Sequence, residues 1–193
     1  MIRHDRLEPD RAMVLVIDVQ TRLLPSIRGH EQVVRNVCKL LDGAAVFGLP
    51  VLATEQYPKG LGSTEAEIAA RLIRANAVLL EKSAFSSCGE EPLREAFRRI
   101  DRPQVIVAGI ECHVCVQQTV LDLTAMDYNV FLCADAAGSR GRADYDRALS
   151  RMAAAGAAVT TVESVLFELC HRCDTPQFKP LSAVIKAYPP ADA

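Results

Sequence analysis

Two textures alternate along the chain. Short apolar runs occur at Met13–Ile17, Pro50–Thr54, Val78–Leu80, Gln104–Ala108, Val130–Ala134 and Ala157–Val162. They are rich in Val, Ile, Leu and Ala, and several are apolar at consecutive positions. Strands covered on both faces of a parallel sheet have this pattern. Between them lie segments of helical period: Glu31–Phe47, Thr64–Ala75, Glu91–Ile100, Val114–Met126, Ala143–Ala155 and Val165–Leu169, with a last amphipathic stretch at Gln177–Ala187. Gly48-Leu49-Pro50 ends one helix and enters a strand, and Gly156 stands where another helix stops. Repeated βα units predict right-handed crossovers and a parallel sheet flanked by helices. With no internal repeat, low-complexity segment or linker, residues 1–193 read as one domain.

Composition narrows the function classes. Half of the 193 residues are hydrophobic, enough for one sizeable core. The 22 basic and 24 acidic side chains leave a formal net charge of -2 without a long run of either sign. That is not the basic footprint of nucleic-acid or anionic-membrane binding, so a small-molecule substrate is expected. Trp is absent and aromatics make up 5%, against a stacking platform for single-stranded nucleic acid. The N-terminus is too polar for a secretory signal, and Met13–Ile17 is too short to span a membrane, so a cytoplasmic protein is expected. In that setting the seven cysteines read as reduced thiols.

Candidate chemistry gathers at the ends of the predicted strands. Asp18 follows Met13–Ile17 directly, Lys82 follows Val78–Leu80 by one residue, and Cys115 lies in GIECHVCV at the start of a helix. The irregular segment Glu55–Ser63 also follows a strand. All therefore face the rim where open α/β sheets bind ligands. A helix N-terminus and a nearby cation would lower the pKa of Cys115. Asp18 could take its proton, and Lys82 could supply positive charge. Each residue also has a plainer reading: a small core thiol, a helix cap and a solvated surface charge.

The segments VIDVQ around Asp18, EKSAFSSC around Lys82 and AGIECHVCV around Cys115 resemble the isochorismatase-like cysteine hydrolase superfamily. TEQYPKGLGST and the later ESVLFEL and TPQFKPLSAVIK resemble its isochorismatase-domain-containing branch, and the likeness runs from about Asp10 to Lys186. The resemblance implies a three-layer, Rossmann-like α/β fold with a six-stranded parallel sheet, matching the six apolar runs. It also implies an Asp18-Lys82-Cys115 triad, a homo-oligomer, and a cis peptide between Ile110 and Glu111. With the N–H of Cys115, that peptide would shape an oxyanion hole.

The sequence also departs from better-known members. Nicotinamidases of the superfamily hold a metal through Asp and His, but ATEQYPKGLG has no histidine. No metal and no cofactor are therefore expected. Isochorismatases proper lack the cysteine that stands here at position 115. Glu111 occupies a position where amidases of the superfamily commonly carry a small or hydroxyl residue. A carboxylate there would repel anionic substrates and favour an amine or amide donor, unless it pairs with His113 or faces away.

Gln20, Gln56 and Phe85 are candidate substrate contacts beside Glu111, although the glutamines could equally cap loop backbone and Phe85 could be packing. Asp135 reads as structural. The expected activity is hydrolysis of a small amide or related carbonyl compound through a thioester on Cys115. Two other readings stay open. Cys112/Cys115 and Cys170/Cys173 form two C-x-x-C pairs, which suit a redox dithiol or a four-thiolate zinc site. The chain could also be a non-enzymatic oligomeric scaffold.

Overall fold

The computed structural model describes residues 6–189. The ends of the predicted domain, and with them His4, lie outside the described residues.

Six strands form one sheet: β1 (Ala12–Ile17), β2 (Val51–Gln56), β3 (Val78–Lys82), β4 (Gln104–Ile110), β5 (Asn129–Gly138) and β6 (Ala158–Thr160). Their order is β3-β2-β1-β4-β5-β6, and every pairing is parallel. Helices cover both faces, giving the three-layer α/β architecture that the alternating pattern predicts. Alternate residues of β1 divide between two cores. Ala12, Val14 and Val16 join a cluster with α1 (His30–Phe47), and Met13, Leu15 and Ile17 join a cluster on the other face. A short helix α2 (Pro58–Leu61) precedes α3 (Ala66–Arg74). With α1 on the first face lie α3, α7 (Val162–Cys170) and α8 (Phe178–Ala187). The opposite face carries α4 (Glu91–Ile100), α5 (Gln117–Ala125) and α6 (Arg142–Ala154).

Several boundaries differ from the sequence pattern, each for a local reason. β2 runs on to Gln56, so Glu55 and Gln56 are strand residues and the irregular segment begins at Tyr57. Lys82 is itself the last residue of β3. β5 is longer than Val130–Ala134 because its register with β4 shifts between Val107 and Gly109, where β5 takes up extra residues. β6 is shorter than Ala157–Val162 because Thr161 caps α7, its side chain accepting from the Ser164 N–H. Coverage of both faces holds for β1 and β4, which are buried throughout, but not for edge strand β3, where Val78 and Leu79 are exposed.

The chain leaves β1 toward β2 on one side and enters β4 from the other side of the sheet. The β1/β4 boundary is therefore the topological switch point, where the crevice of an open α/β sheet lies beyond the strand C-termini. Gly109 of β4 pairs with Ile17 of β1 at this boundary. Its φ of 132° lies where side chains are strained, and a Cβ there would sit 2.1 Å from the carbonyl oxygen of Ile17. Only glycine allows the two strands this approach, one residue before Asp18.

Candidate active site

Asp18, Lys82 and Cys115 converge at the switch point. Asp18 leaves β1 with a left-handed backbone, φ 53°, a conformation Asp tolerates better than most residues. Its side chain is fully buried. Oδ1 accepts a hydrogen bond from Thr54 Oγ1 at 2.7 Å. Oδ2 lies 2.7 Å from Lys82 Nζ, and both side chains of this ion pair are shielded from water. The contact is ionic only: Oδ2 is a buried oxygen that accepts no hydrogen bond. Parallel pairing explains the meeting, since Ile17 is level with Thr54, and Gln56 with Lys82.

Lys82 is held from several directions. Nζ donates to Gln56 Oε1 at 2.6 Å and to the main-chain oxygens of Phe85 at 3.0 Å and Ala84 at 3.3 Å. Glu90 accepts from the N–H groups of Ser83 and Ala84 and pins the turn that supplies those oxygens.

Cys115 lies in a single π-helical turn, Cys112–Val116, that opens α5. Such turns recur at functional sites. The peptide between Ile110 and Glu111, at the end of β4, is cis. Within the turn, the Val114 and Val116 N–H groups donate to the Glu111 carbonyl at 3.0 and 3.2 Å. Burial pushes the Cys115 thiol up to about 12, the adjacent Asp18 carboxylate adds to the rise, and the Lys82 ammonium opposes it. This corrects the expectation of a lowered pKa. Removal from water outweighs the cation, which favours the neutral thiol.

The other predicted contacts fall in different places. Gln20 is fully buried. Its Nε2 donates to the main-chain oxygens of Gln56 and Gly62, and its Oε1 accepts from the Gln56 N–H. Gln56 turns its own amide to Lys82 and to the Ser83 carbonyl. Both glutamines thus reach the site through Lys82 and the loop backbone. The Phe85 ring is 54% exposed, while its carbonyl oxygen holds Lys82. Glu111 is buried and accepts from Arg140 Nε at 2.9 Å, so its partner is Arg140 and not His113. His113 contacts Ser139 Oγ at 3.0 Å. Asp135 accepts from the Val162 N–H at the start of α7, as a structural residue does.

Thr54, Arg140 and Thr119 did not stand out in the sequence. Thr119 Oγ1 donates to the Cys115 carbonyl at 2.7 Å and accepts from the Ser87 N–H at 2.9 Å, tying the cysteine turn to the segment after Lys82. Its place four residues beyond Cys115 on a helix is the one signal that pointed to it.

The zinc alternative is not assembled. Cys112 and Cys115 belong to the core on one face of the sheet and Cys170 to the core on the other. Among the described residues, no group of three or more His, Cys, Asp or Glu side chains could hold a metal ion. The donor set does not fit the nicotinamidase metal either. All seven cysteines are free, and burial pushes Cys112 up to about 12, the reverse of a reactive dithiol.

Residues 12–164 match the model of the Isochorismatase domain family. Isochorismatase domain-containing protein 1 of Salmo salar is 37% identical over 187 residues, covering 95% of this chain and 64% of the relative, so the chain spans less than two thirds of that protein. Isochorismatase domain-containing protein 2A of Mus musculus is 34% identical, covering 94% of this chain and 85% of the relative. Among solved structures, the MAR1 ribonuclease of Caenorhabditis elegans has a TM-score of 0.90 at 33% identity, over 96% of this chain and 95% of that one. YcaC of Pseudomonas aeruginosa, described with hexane-2,5-diol and covalent acrylamide, has a TM-score of 0.88 at 28% identity, over 97% and 96%. The Escherichia coli YcaC gene product, described as an octameric hydrolase of unknown specificity, has a TM-score of 0.91 at 26% identity, over 96% and 92%. The sheet order, the strand-end site and these similarities agree: the chain belongs to the isochorismatase family and has its hydrolase fold.

Proposed function

We propose that this protein is a metal-free, cysteine-dependent hydrolase of a small amide or related carbonyl compound, with Cys115 as nucleophile. One observation carries the reading. A buried carboxylate, Asp18, is ion-paired with Lys82 at 2.7 Å and keeps an oxygen free of hydrogen bonds beside a neutral thiol. That oxygen is the base. As Cys115 Sγ bonds to the substrate carbonyl carbon, its proton passes to Asp18 Oδ2, and the carbonyl oxygen takes the negative charge. N–H groups around Glu111 and Cys115 and the charge of Lys82 stabilise that oxygen. The C–N bond then breaks, Asp18 returns the proton to the leaving amine, and a thioester remains. Water attacks the thioester with its proton going to Asp18, and the acid leaves as Sγ recovers that proton.

Glu111 shapes the choice of substrate. One carboxylate oxygen is occupied by Arg140, and the group stands next to the cysteine turn. Arg140 offsets its charge, so its contribution is the remaining oxygen, an acceptor suited to an amine or amide N–H. The covalent acrylamide described for Pseudomonas aeruginosa YcaC supports an amide electrophile as the probe. The ribonuclease description of the Caenorhabditis elegans neighbour makes RNA a control substrate, and a formal net charge of -2 gives no support for phosphate tracking. A homo-oligomer is supported by the octameric Escherichia coli neighbour and by apolar Val78 and Leu79 exposed on edge strand β3. The free thiols fit a reducing, cytoplasmic setting.

The test is covalent labelling by acrylamide and iodoacetamide, read cysteine by cysteine from peptide masses. Cys115 is expected to label faster than buried Cys88 and Cys112, at a rate still rising with pH above 9 because its thiol ionises late. Asp18→Asn removes the negative charge that raises this thiol, so the Cys115 curve moves to lower pH by about one unit, roughly tenfold in rate at fixed pH. Equal labelling of the three thiols, or a curve that Asp18→Asn leaves in place, sinks the mechanism.

A further inference from the structure

The proposed chemistry leaves one side chain at the site unused. Gln56 ends β2 directly opposite Lys82 at the end of β3. Its amide has a forced orientation. Nε2 donates to the Ser83 carbonyl at 2.9 Å, which turns Oε1 to Lys82 Nζ at 2.6 Å. The main chain of Gln56 is fixed in turn by Gln20. Gln20 Oε1 accepts from the Gln56 N–H at 2.8 Å, and its Nε2 donates to the Gln56 carbonyl at 3.0 Å. Gln20 is fully buried, and its other amide hydrogen goes to the Gly62 carbonyl at 2.6 Å. Gln20 has no amide hydrogen left for a substrate, while Gln56 Nε2 spends one of its two on Ser83 and turns its oxygen away to Lys82.

An ammonium group has three hydrogens. Lys82 Nζ donates to Gln56 Oε1 at 2.6 Å and to the Phe85 and Ala84 carbonyls at 3.0 and 3.3 Å, and it lies 2.7 Å from Asp18 Oδ2 as an ion pair. All of these partners are protein atoms. We propose that Gln56, oriented by Gln20, is a positioning residue that holds Lys82 against Asp18 and thereby sets the reactivity of Cys115. The assignment rests on the Asp18-Lys82-Cys115 reading. A neutral amide suits the task because it accepts a hydrogen bond without cancelling the lysine charge. A carboxylate in its place would compete with Asp18 for Lys82 and add negative charge beside the thiol.

The experiment measures the iodoacetamide labelling rate of Cys115 between pH 6 and 10 in the full chain, with Cys88 and Cys112 read in the same digest. The variants are Gln56→Glu, Gln56→Met and Lys82→Ala. Gln56→Glu preserves size and is expected to move the Cys115 curve to higher pH, lowering the rate at pH 8 by about tenfold, the effect of one pKa unit. Gln56→Met adds no charge and lowers it by about threefold, the scale of one modest hydrogen bond. Lys82→Ala moves the curve at least as far as Gln56→Glu. Cys88 and Cys112 keep their wild-type rates.

If both Gln56 variants overlay the wild type while Lys82→Ala shifts, Gln56 does not act through Lys82, and the triad reading stands without it. A substrate-binding role would give that same unmoved curve. If Lys82→Ala also leaves the curve in place, the triad reading fails and takes the Gln56 assignment with it. If the Gln56 variants speed Cys88 and Cys112 along with Cys115, the residue only supports the fold, and the proposal is overturned.

Discussion

Asp18 is a carboxylate taken wholly out of water, and its two oxygens are treated differently. Thr54 donates to Oδ1, Lys82 balances the charge at Oδ2, and Oδ2 remains free of hydrogen bonds. A buried charge is tolerable only when paired and hydrogen-bonded, so the Thr54 hydroxyl matters for stability as well as for aim. Thr54→Val nearly preserves shape and leaves Oδ1 without its donor. It is expected to destabilise the fold by about 1.5–3 kcal/mol. Urea unfolding checks this, and a midpoint equal to wild type would mean that Oδ1 finds another donor. At this scale the strand-end positions made Asp18, Lys82 and Cys115 candidates, and the resemblance to the family joined them as a triad. The sequence did not show their protonation. A cation and a helix start point to a thiolate, but burial of Cys115 wins, and burial depends on everything packed around the turn.

The β1 and β4 strands set the spacing of the site. Gly109 brings β4 against Ile17, and Asp18 is the next residue of β1. Gly109→Ala places a methyl where main-chain atoms of Ile17 already stand, in a backbone conformation that alanine resists. A loss of roughly 2–4 kcal/mol is expected. Cys115 labelling should change in the protein that remains folded, because the displaced strand carries Asp18, whose charge acts on the thiol. Calorimetry and labelling of the same sample check both effects; unaltered labelling would mean that β1 absorbs the shift without moving Asp18. Elements with strong periodicity, such as α1 and α4, were legible from the chain, and so were the cores of β1 and β4. The extension of β5 and the shortening of β6 were not. The first depends on a register shift against β4, and the second on competition with the cap of α7.

Burial of thiols is a property of the whole packed molecule. Burial pushes Cys38 and Cys88 up to about 11, Cys112 and Cys115 up to about 12, and Cys133 well above the ordinary thiol value. Their folded-state pKa values lie above the unfolded value of about 8.5. The stability they contribute is therefore complete below that pH. It is lost as pH rises toward the folded-state values, because the unfolded chain releases protons that the native state keeps. The thermal midpoint is expected to fall steadily between pH 8.5 and 11. Cys38→Ala should flatten that fall, removing up to about 1.4 kcal/mol per pH unit from the slope of the unfolding free energy. Thermal scans across this range check it, and a flat profile would mean that the thiols ionise alike in both states.

The amino-acid sequence by itself determined the α/β class, the parallel sheet and the rim at which the chemistry gathers. Those follow from local periodicity and from residue types at strand ends, which act over a few positions. Tertiary structure decided what required distant segments to meet. It gave the Gln56 amide oxygen to Lys82, the Gln20 amide to the main chain of Gln56 and Gly62, and Glu111 to Arg140. It also put Cys112 and Cys115 in the core on one face of the sheet and Cys170 in the core on the other, and left Cys173 exposed. The physical reason is the same in each case. A hydrogen bond or an ion pair is chosen among all groups within about 3 Å in the packed chain, and strand register and burial set those distances.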